Sequence, residues 1–213
     1  MSLPRVLLAD DHRIVAEGLT SMLAAEYDVV GVVEDGRQML EAAARLQPDL
    51  IVADISMPHL NGIDALVQLK RENPDVKVVF LTMHQEPAYA RRALDAGACG
   101  FVLKHSAAAE LLTALRAVLQ GKTYLTPSLA GDVLNAMRHG TEQPADPAAL
   151  LTPRQREILQ LLVEGQSAKQ IAATLSISAR TVEFHKYQMM EGLGLHNSAE
   201  LIHFGIKNDV VGI

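Results

Sequence analysis

Short apolar runs alternate with helix-spaced apolar residues through the first part of the chain. "RVLLA" (5–9), "DVVGVV" (28–33), "DLIVA" (49–53), "VKVVFLT" (76–82) and "CGFVLK" (99–104) are too short for helices and read as strands. Between them, 13–25 places Val15, Leu19, Met22 and Leu23 on one helical face, and 37–46, 62–72 and 87–96 continue the helical spacing. Pro87 stands in the first turn of its helix and Gly97 just past its end, the favoured places for both. Ser106 is expected to cap a fifth helix bearing Leu111, Leu112, Leu115, Val118 and Leu119, which stops at Gly121. Strands apolar along their length, with helices between them, predict an α/β fold. Its core is a doubly wound five-stranded parallel sheet covered on both faces. Ligand sites in such sheets lie outside the carboxyl ends of the strands.

The pattern then changes. A further short helix is predicted near "SLAGDVLNAM", and "HGTEQPADPAA" (139–149) has the Gly, Pro and acid content of a flexible linker. Beyond it everything is helical. Thr152-Pro153-Arg154-Gln155 and Ser167-Ala168-Lys169-Gln170 carry capping boxes, Ser178 can cap a third helix, and Asn197-Ser198-Ala199-Glu200 opens a fourth. The expected organisation is a domain at 1–121, a linker with a short helix at 122–149, and a small all-α four-helix domain at 150–213. In the last of these, "SIS" joins two helices so tightly that a helix-turn-helix is indicated, its second helix suited to the DNA major groove. Periodicity fits a small protein-binding or dimerisation bundle equally well.

Composition narrows the class. No apolar run is long enough to span a bilayer, and "MSLPRVLLADD" meets an acid pair where an export signal would stay apolar, so a cytoplasmic protein without membrane contact is expected. The single cysteine, Cys99, has apolar neighbours and is read as a packed thiol in a reducing compartment. Charge is uneven. Residues 1–130 hold 12 basic and 16 acidic side chains, whereas residues 151–213 hold 6 of each. The least acidic third is therefore the one read as a helix-turn-helix, although it lacks the net positive charge of many DNA binders.

Chemistry concentrates at the strand ends. Asp10 and Asp11 follow the first strand, Asp54 ends the third, Thr82 the fourth and Lys104 the fifth. If the first and third strands are neighbours, the three acids converge. Clustered carboxylates must take up protons or hold a cation, and an all-oxygen site with room for water suits Mg2+. A carboxylate beside that ion can attack a phosphoryl group, while a hydroxyl and an ammonium bind its remaining oxygens. Singly, each residue has an ordinary reading as turn former, strand threonine or solvated lysine. Together, their order and shared edge point to a site.

"LLADDH", "VADISMPHLNG", "FLTMH" and "GACGFVLK" resemble the four signature blocks of bacterial two-component receiver domains over roughly 3–121, which implies a flavodoxin-like topology. The resemblance implies that Asp54 accepts phosphate from a sensor histidine kinase. It implies Mg2+ ligation by Asp11 and Asp54 directly, by Asp10 mainly through water, and by the backbone carbonyl of Ser56. It further implies that Thr82 moves toward the phosphoryl group, that Phe101 swings inward in response, and that Lys104 binds phosphoryl oxygens. Ser56 and His84 match positions that flank that group and affect how fast it is lost. No enzyme activity is implied beyond promoting the protein's own phosphorylation and dephosphorylation; a phosphatase or other metal-dependent hydrolase using Asp54 would need a substrate pocket and a general acid, for which Asp10 or Asp11 could serve, but no extra cap domain is evident.

"LTPRQREILQLLVEGQSAKQIAATLSISARTVEFHKYQMM" with the following "LGL" and "AEL" resembles the LuxR-type DNA-binding domain over roughly 150–208. The whole chain thus resembles a NarL/FixJ-type response regulator, which implies a homodimer when phosphorylated and double-stranded DNA as partner. Glu183, Phe184, Lys186 and Tyr187, with Thr181, become candidates for the DNA-facing surface, and Lys169 and Arg180 for phosphate contacts. His185 is expected to pack or face a phosphate rather than bind metal. Two positions depart from the family: Ala168 follows the cap Ser167, and Gly192 stands where Lys or Arg is usual. Glycine inside a helix costs roughly 1 kcal/mol relative to alanine, so the last turn is expected to fray. The rival expectation is a phosphorylation-controlled protein-interaction switch whose helical domain does not bind DNA.

Overall fold

In a computed structural model, residues 2–105, 108–139 and 150–207 are described. The chain forms two compact units, Met1–Thr141 and Glu142–Ile213. In the first, strands β1 (Arg5–Ala9), β2 (Asp28–Val33), β3 (Leu50–Ala53), β4 (Val78–Thr82), β5 (Gly100–Leu103) and β6 (Tyr124–Leu125) make one sheet in the order β2-β1-β3-β4-β5-β6. Every neighbouring pair is parallel. Helices α1 (Arg13–Leu23), α2 (Gly36–Leu46), α3 (Gly62–Glu72), α4 (Pro87–Asp95) and α5 (Ala108–Leu119) connect the strands.

Strand residues alternate between the two faces, so each strand feeds two cores. Val6, Leu8, Leu50, Val52, Val79, Leu81 and Val102 pack with Leu23 of α1 and Leu111, Ala114, Leu115 and Val118 of α5. Leu7, Ala9, Ile51, Ala53, Val78, Phe80, Phe101 and Leu103 pack with α2, α3 and α4 through Met39, Leu66 and Ala90 among others. The residues of β1, β3, β4 and β5 are buried along almost their whole length, whereas β2, at the edge, is only partly covered. Partly buried Cys99 packs against the α1/α5 side. Gly97 (φ 95°) and Gly121 (φ 79°) turn the chain after α4 and α5 in the left-handed conformation that their positions in the sequence lead one to expect.

The expected five-stranded sheet gains a sixth strand. Tyr124 and Thr126 donate backbone N–H groups to the carbonyls of Cys99 and Phe101. Helix α6 (Pro127–His139) follows and buries Leu129 and Val133 in the core that holds α4. Residues 124–139 were expected within the linker; they belong to the first unit, because β5 offers an open edge and α4 an uncovered apolar face. The predicted cap at Ser106 and residues 140–149 of the expected linker lie outside the described residues.

The second unit contains α7 (Pro153–Val163), α8 (Ala168–Thr174), α9 (Ala179–Leu193) and α10 (Ser198–Lys207). Both expected capping boxes form, at Thr152 with Gln155 and at Ser167 with Gln170, and the Ser178 hydroxyl accepts from the Thr181 N–H. Asn197 accepts from the N–H of Glu200 at 3.0 Å. Ile158, Leu161, Ile171, Val182, Met189 and Leu201 bring all four helices into one core. Gly192 does not end α9: the helix runs on to Leu193 and is closed by Gly194 in the left-handed conformation (φ 67°). Gly192 costs propensity, but the stop signal is two residues further on.

Candidate functional site

Strand order creates the acid cluster. β1 pairs with β3 in a register that sets Ala9 beside Ala53, so the next residues, Asp10 and Asp54, leave the sheet side by side. The Asp54 N–H is bound to the Ala9 carbonyl at 2.8 Å. Asp10 and Asp54 are buried, at 3% and 4% exposure, while Asp11 is open to solvent. Lys104, just past β5, reaches over both buried acids, with Nζ 2.6 Å from Asp54 Oδ2 and 2.8 Å from Asp10 Oδ2. The other oxygen of Asp54 accepts from the backbone N–H groups of Ile55 (2.6 Å) and Ser56 (3.3 Å).

Two buried carboxylates share one ammonium, and the titration of the groups reflects that imbalance. Burial raises the Asp54 carboxyl above its ordinary range; Lys104 opposes the rise, the neighbouring Asp10 charge adds to it, and the Ser56 N–H opposes it. Burial works against the Lys104 charge too, but hydrogen bonds and attraction from Asp10 and Asp54 together outweigh it, and its pKa is raised. Both partners therefore move upward without contradiction, since the lysine has two counter-charges and the aspartate must share one. A raised carboxyl means that the folded chain holds the proton more tightly than the unfolded one. The contribution of Asp54 to stability is thus greatest below its unfolded pKa and is lost as pH rises through the folded value.

Lys104→Met is expected to lower stability by about 3 kcal/mol at neutral pH, because it leaves two buried acids without a counter-charge. The penalty should shrink in acid, where a protonated Asp54 needs none. Urea midpoints at neutral and acidic pH test this, and an equal loss at both would contradict it.

The ligand atoms of Asp10, Asp11, His12 and Asp54 lie within 4.8 Å of one another. The three carboxylates are the expected acids. His12 is an addition that the strand-end pattern does not predict; its Nδ1 lies 2.8 Å from Asp11 Oδ1, and its backbone N–H donates to Asp10 Oδ1 at 2.9 Å. The hard, clustered oxygens fit a small divalent cation.

Thr82, at the end of β4, is fully buried, and its hydroxyl accepts from the His84 N–H at 3.2 Å. Ser56 and His84 meet directly, with Oγ and Nε2 2.7 Å apart. The resemblance places both beside one group, but their direct contact follows from β3 lying beside β4. Phe101 is fully buried in the core shared with α3, α4 and α6.

In the second unit, α8 and α9 pack with the tight turn between them, where Ser176 takes the left-handed conformation (φ 52°). One side of α9 buries Val182 and Met189; the other exposes Glu183, Phe184 and Tyr187, with Phe184 55% and Tyr187 61% open. Lys169 and Arg180 are exposed and Thr181 is partly buried. Lys186 is paired with Glu183 at 3.1 Å, so one expected cation is already neutralised within its helix. His185 turns inward: its Nδ1 is buried and its ring meets Phe184 edge-on at 5.9 Å. Arg154 clamps the helices together, bonding the buried Glu157 at 2.7 Å and the Leu175 carbonyl at 3.0 Å.

Comparison with known proteins covers both units. Residues 6–116 match the response regulator receiver domain, and residues 149–205 match the luxR family of bacterial regulatory proteins. The chain is 33% identical to the oxygen regulatory protein NreC of Staphylococcus carnosus, over 97% of this chain and 99% of that one. It is 36% identical to the transcriptional regulatory protein MctR of Rhizobium johnstonii, over 97% and 95%. Among solved structures it resembles RcsB of Salmonella typhimurium, with TM-score 0.64, 29% identity, and coverage of 96% of this chain and 97% of that one. It also resembles RcsB from Salmonella enterica serovar Typhimurium bound to a promoter in the presence of phosphomimetic BeF3-, with TM-score 0.60, 31% identity, and coverage of 95% and 98%.

Proposed function

The chain belongs to the response regulators that join a receiver domain to a LuxR-type regulatory domain, and from that premise we propose that it is a transcriptional regulator switched by phosphorylation of Asp54. The observation that carries the reading is the convergence of Asp10, Asp11 and Asp54 under Lys104, with Nζ 2.6 Å from the Asp54 carboxylate. Asp54 supplies the attacking oxygen. Its other oxygen is held by the Ile55 and Ser56 N–H groups, which fixes the direction of the free lone pairs. Lys104, already at the carboxylate, stays to bind the incoming phosphoryl oxygens, and the Thr82 hydroxyl turns toward them. Asp10, Asp11, Asp54 and the backbone carbonyl of Ser56 would hold Mg2+. When bound, it neutralises charge on the transferring group. A sensor histidine kinase, soluble or membrane-bound, is the expected donor.

The output runs through the packed core. Thr82, Phe101 and α4 share one side of the sheet, and α6 packs on α4, so a change at the acids reaches the segment leading to the second unit. In the second unit α9 is the recognition helix, with Glu183, Phe184 and Tyr187 facing the bases, and Lys169 and Arg180 at phosphates. A phosphorylated dimer reads two half-sites about one helical turn apart.

Genomic fragments selected on the purified protein test the reading. With acetyl phosphate and magnesium, a paired half-site motif should be enriched, and enrichment should fall when either is omitted. Binding should weaken with salt, but with a shallow slope, because few cations on this unit are free to displace counterions. If Asp54 takes up phosphate and no fragment is enriched in either state, the helical unit serves a protein partner instead.

A further inference from the structure

We propose that Tyr89 is a positioning residue for the phosphoryl chemistry of Asp54: by stacking on His84 it holds the Ser56–His84 hydrogen bond in place beside the acid, and so sets how long a phosphoryl group survives. This rests on the reading of Asp54 as the phosphate acceptor. The contacts form an unbroken series. The Ser56 N–H donates to Asp54 Oδ1 at 3.3 Å, Ser56 Oγ lies 2.7 Å from His84 Nε2, and the His84 ring stacks on Tyr89 with centroids 4.0 Å apart and planes inclined by 17°. The Arg92 guanidinium lies 5.6 Å from the Tyr89 ring centre.

Each member is held differently. Ser56 is fixed by backbone bonding at the acid. Tyr89 is buried on α4, which in turn carries α6. His84 lies in the segment between β4 and α4 with its side chain only 15% exposed, so its ring position is set by what it packs against. The bond to Ser56 and the stack on Tyr89 hold it from two sides, and its Nδ1 also lies 3.9 Å from the exposed Glu86 carboxylate.

Loss of the phosphoryl group requires water to reach phosphorus. The water oxygen bonds to phosphorus as the bond from phosphorus to the Asp54 oxygen breaks; inorganic phosphate leaves, Asp54 regains its carboxylate, and one proton goes to solvent. Ser56 Oγ and His84 Nε2 engage each other, so the pair shields the approach instead of offering a partner to that water. Without the stack the imidazole swings away and the approach opens.

The test times phosphate loss from the full-length protein after loading with acetyl phosphate and magnesium and removing the donor. Tyr89→Leu keeps an apolar side chain without a ring to stack, and should shorten the lifetime roughly two- to tenfold, the factor an aromatic pair is worth. Tyr89→Phe keeps the ring and should match wild type. His84→Ala should shorten the lifetime as well, and adding Tyr89→Leu to it should change nothing further, since Tyr89 acts only through His84. An unchanged lifetime in Tyr89→Leu overturns the proposal, as does an undiminished effect of that substitution in the His84→Ala background. If wild type takes up no phosphate, the reading of Asp54 itself fails and this inference falls with it.

Discussion

Asp54→Asn is expected to abolish phosphate uptake from acetyl phosphate and, with it, every effect of the phosphodonor on DNA binding. On the proposed reading the Asp54 carboxylate is the nucleophile, and the amide that replaces it has no oxygen able to form the same bond. The environment also dictates how the amide sits. Two backbone N–H groups point at one side-chain oxygen, which requires the amide oxygen there. The amide nitrogen is then turned toward Lys104 Nζ, which in wild type stands 2.6 Å from a carboxylate oxygen. Two donors repel at that distance, so Lys104 shifts onto Asp10, which it already contacts at 2.8 Å. The fold should survive, because burying the Asp54 charge is itself unfavourable and removing it relieves that cost. Intact-mass measurement after incubation with the donor checks the result: wild type gains one phosphoryl group and the variant none. Uptake by the variant would place the acceptor elsewhere.

Gly62→Ala is expected to cost about 3 kcal/mol, at the upper end for overpacking a buried position, and to damage the site with the fold. A Cβ on Gly62 would stand 2.2 Å from the Asp54 carbonyl oxygen and 2.9 Å from Phe80 Cε1. The first is backbone, so no rotamer change relieves it. The Gly62 N–H is also bonded to the Ile55 carbonyl at 2.9 Å, which ties the start of α3 to the segment that presents Asp54. Moving α3 to admit a methyl group therefore moves the acid. Gly18→Ala is the control: it lies within α1 with nothing near its missing Cβ, so alanine should be neutral or stabilising there by up to about 1 kcal/mol. Urea midpoints and the rate of phosphate uptake should both fall in Gly62→Ala and neither in Gly18→Ala. An unchanged midpoint in Gly62→Ala would show that the close approach has room to relax.

Much of this protein was legible in its sequence because the relevant signals are local. Strand and helix were separated by apolar spacing, which reports burial within a few residues. Capping boxes at Thr152 and Ser167 were readable because both partners lie within one turn. Asp10, Asp11, Asp54, Thr82 and Lys104 could be grouped because each closes a strand, and parallel strands bring all such ends to one edge. Local signals are weaker where a segment is very short or two glycines stand close together. Tyr124–Leu125 is too short to read as a strand, yet it pairs with β5 and brings α6 into the first unit. Gly192 predicts a frayed last turn, whereas α9 runs on to Leu193 and Gly194 holds the left-handed turn.

The sequence by itself determined the element types, the two-part organisation and the residue kinds available for chemistry. Only the tertiary structure decided that β1 lies beside β3, and therefore that Asp10 and Asp54 share one ammonium. It alone joined Ser56 to His84 and Tyr89, pressed Gly62 against the Asp54 backbone, and buried Phe101. The physical reason is one of range. Hydrophobic spacing and caps act between residues a few positions apart, whereas strand order is set by how whole faces pack, and contacts across it depend on distances that no local pattern encodes.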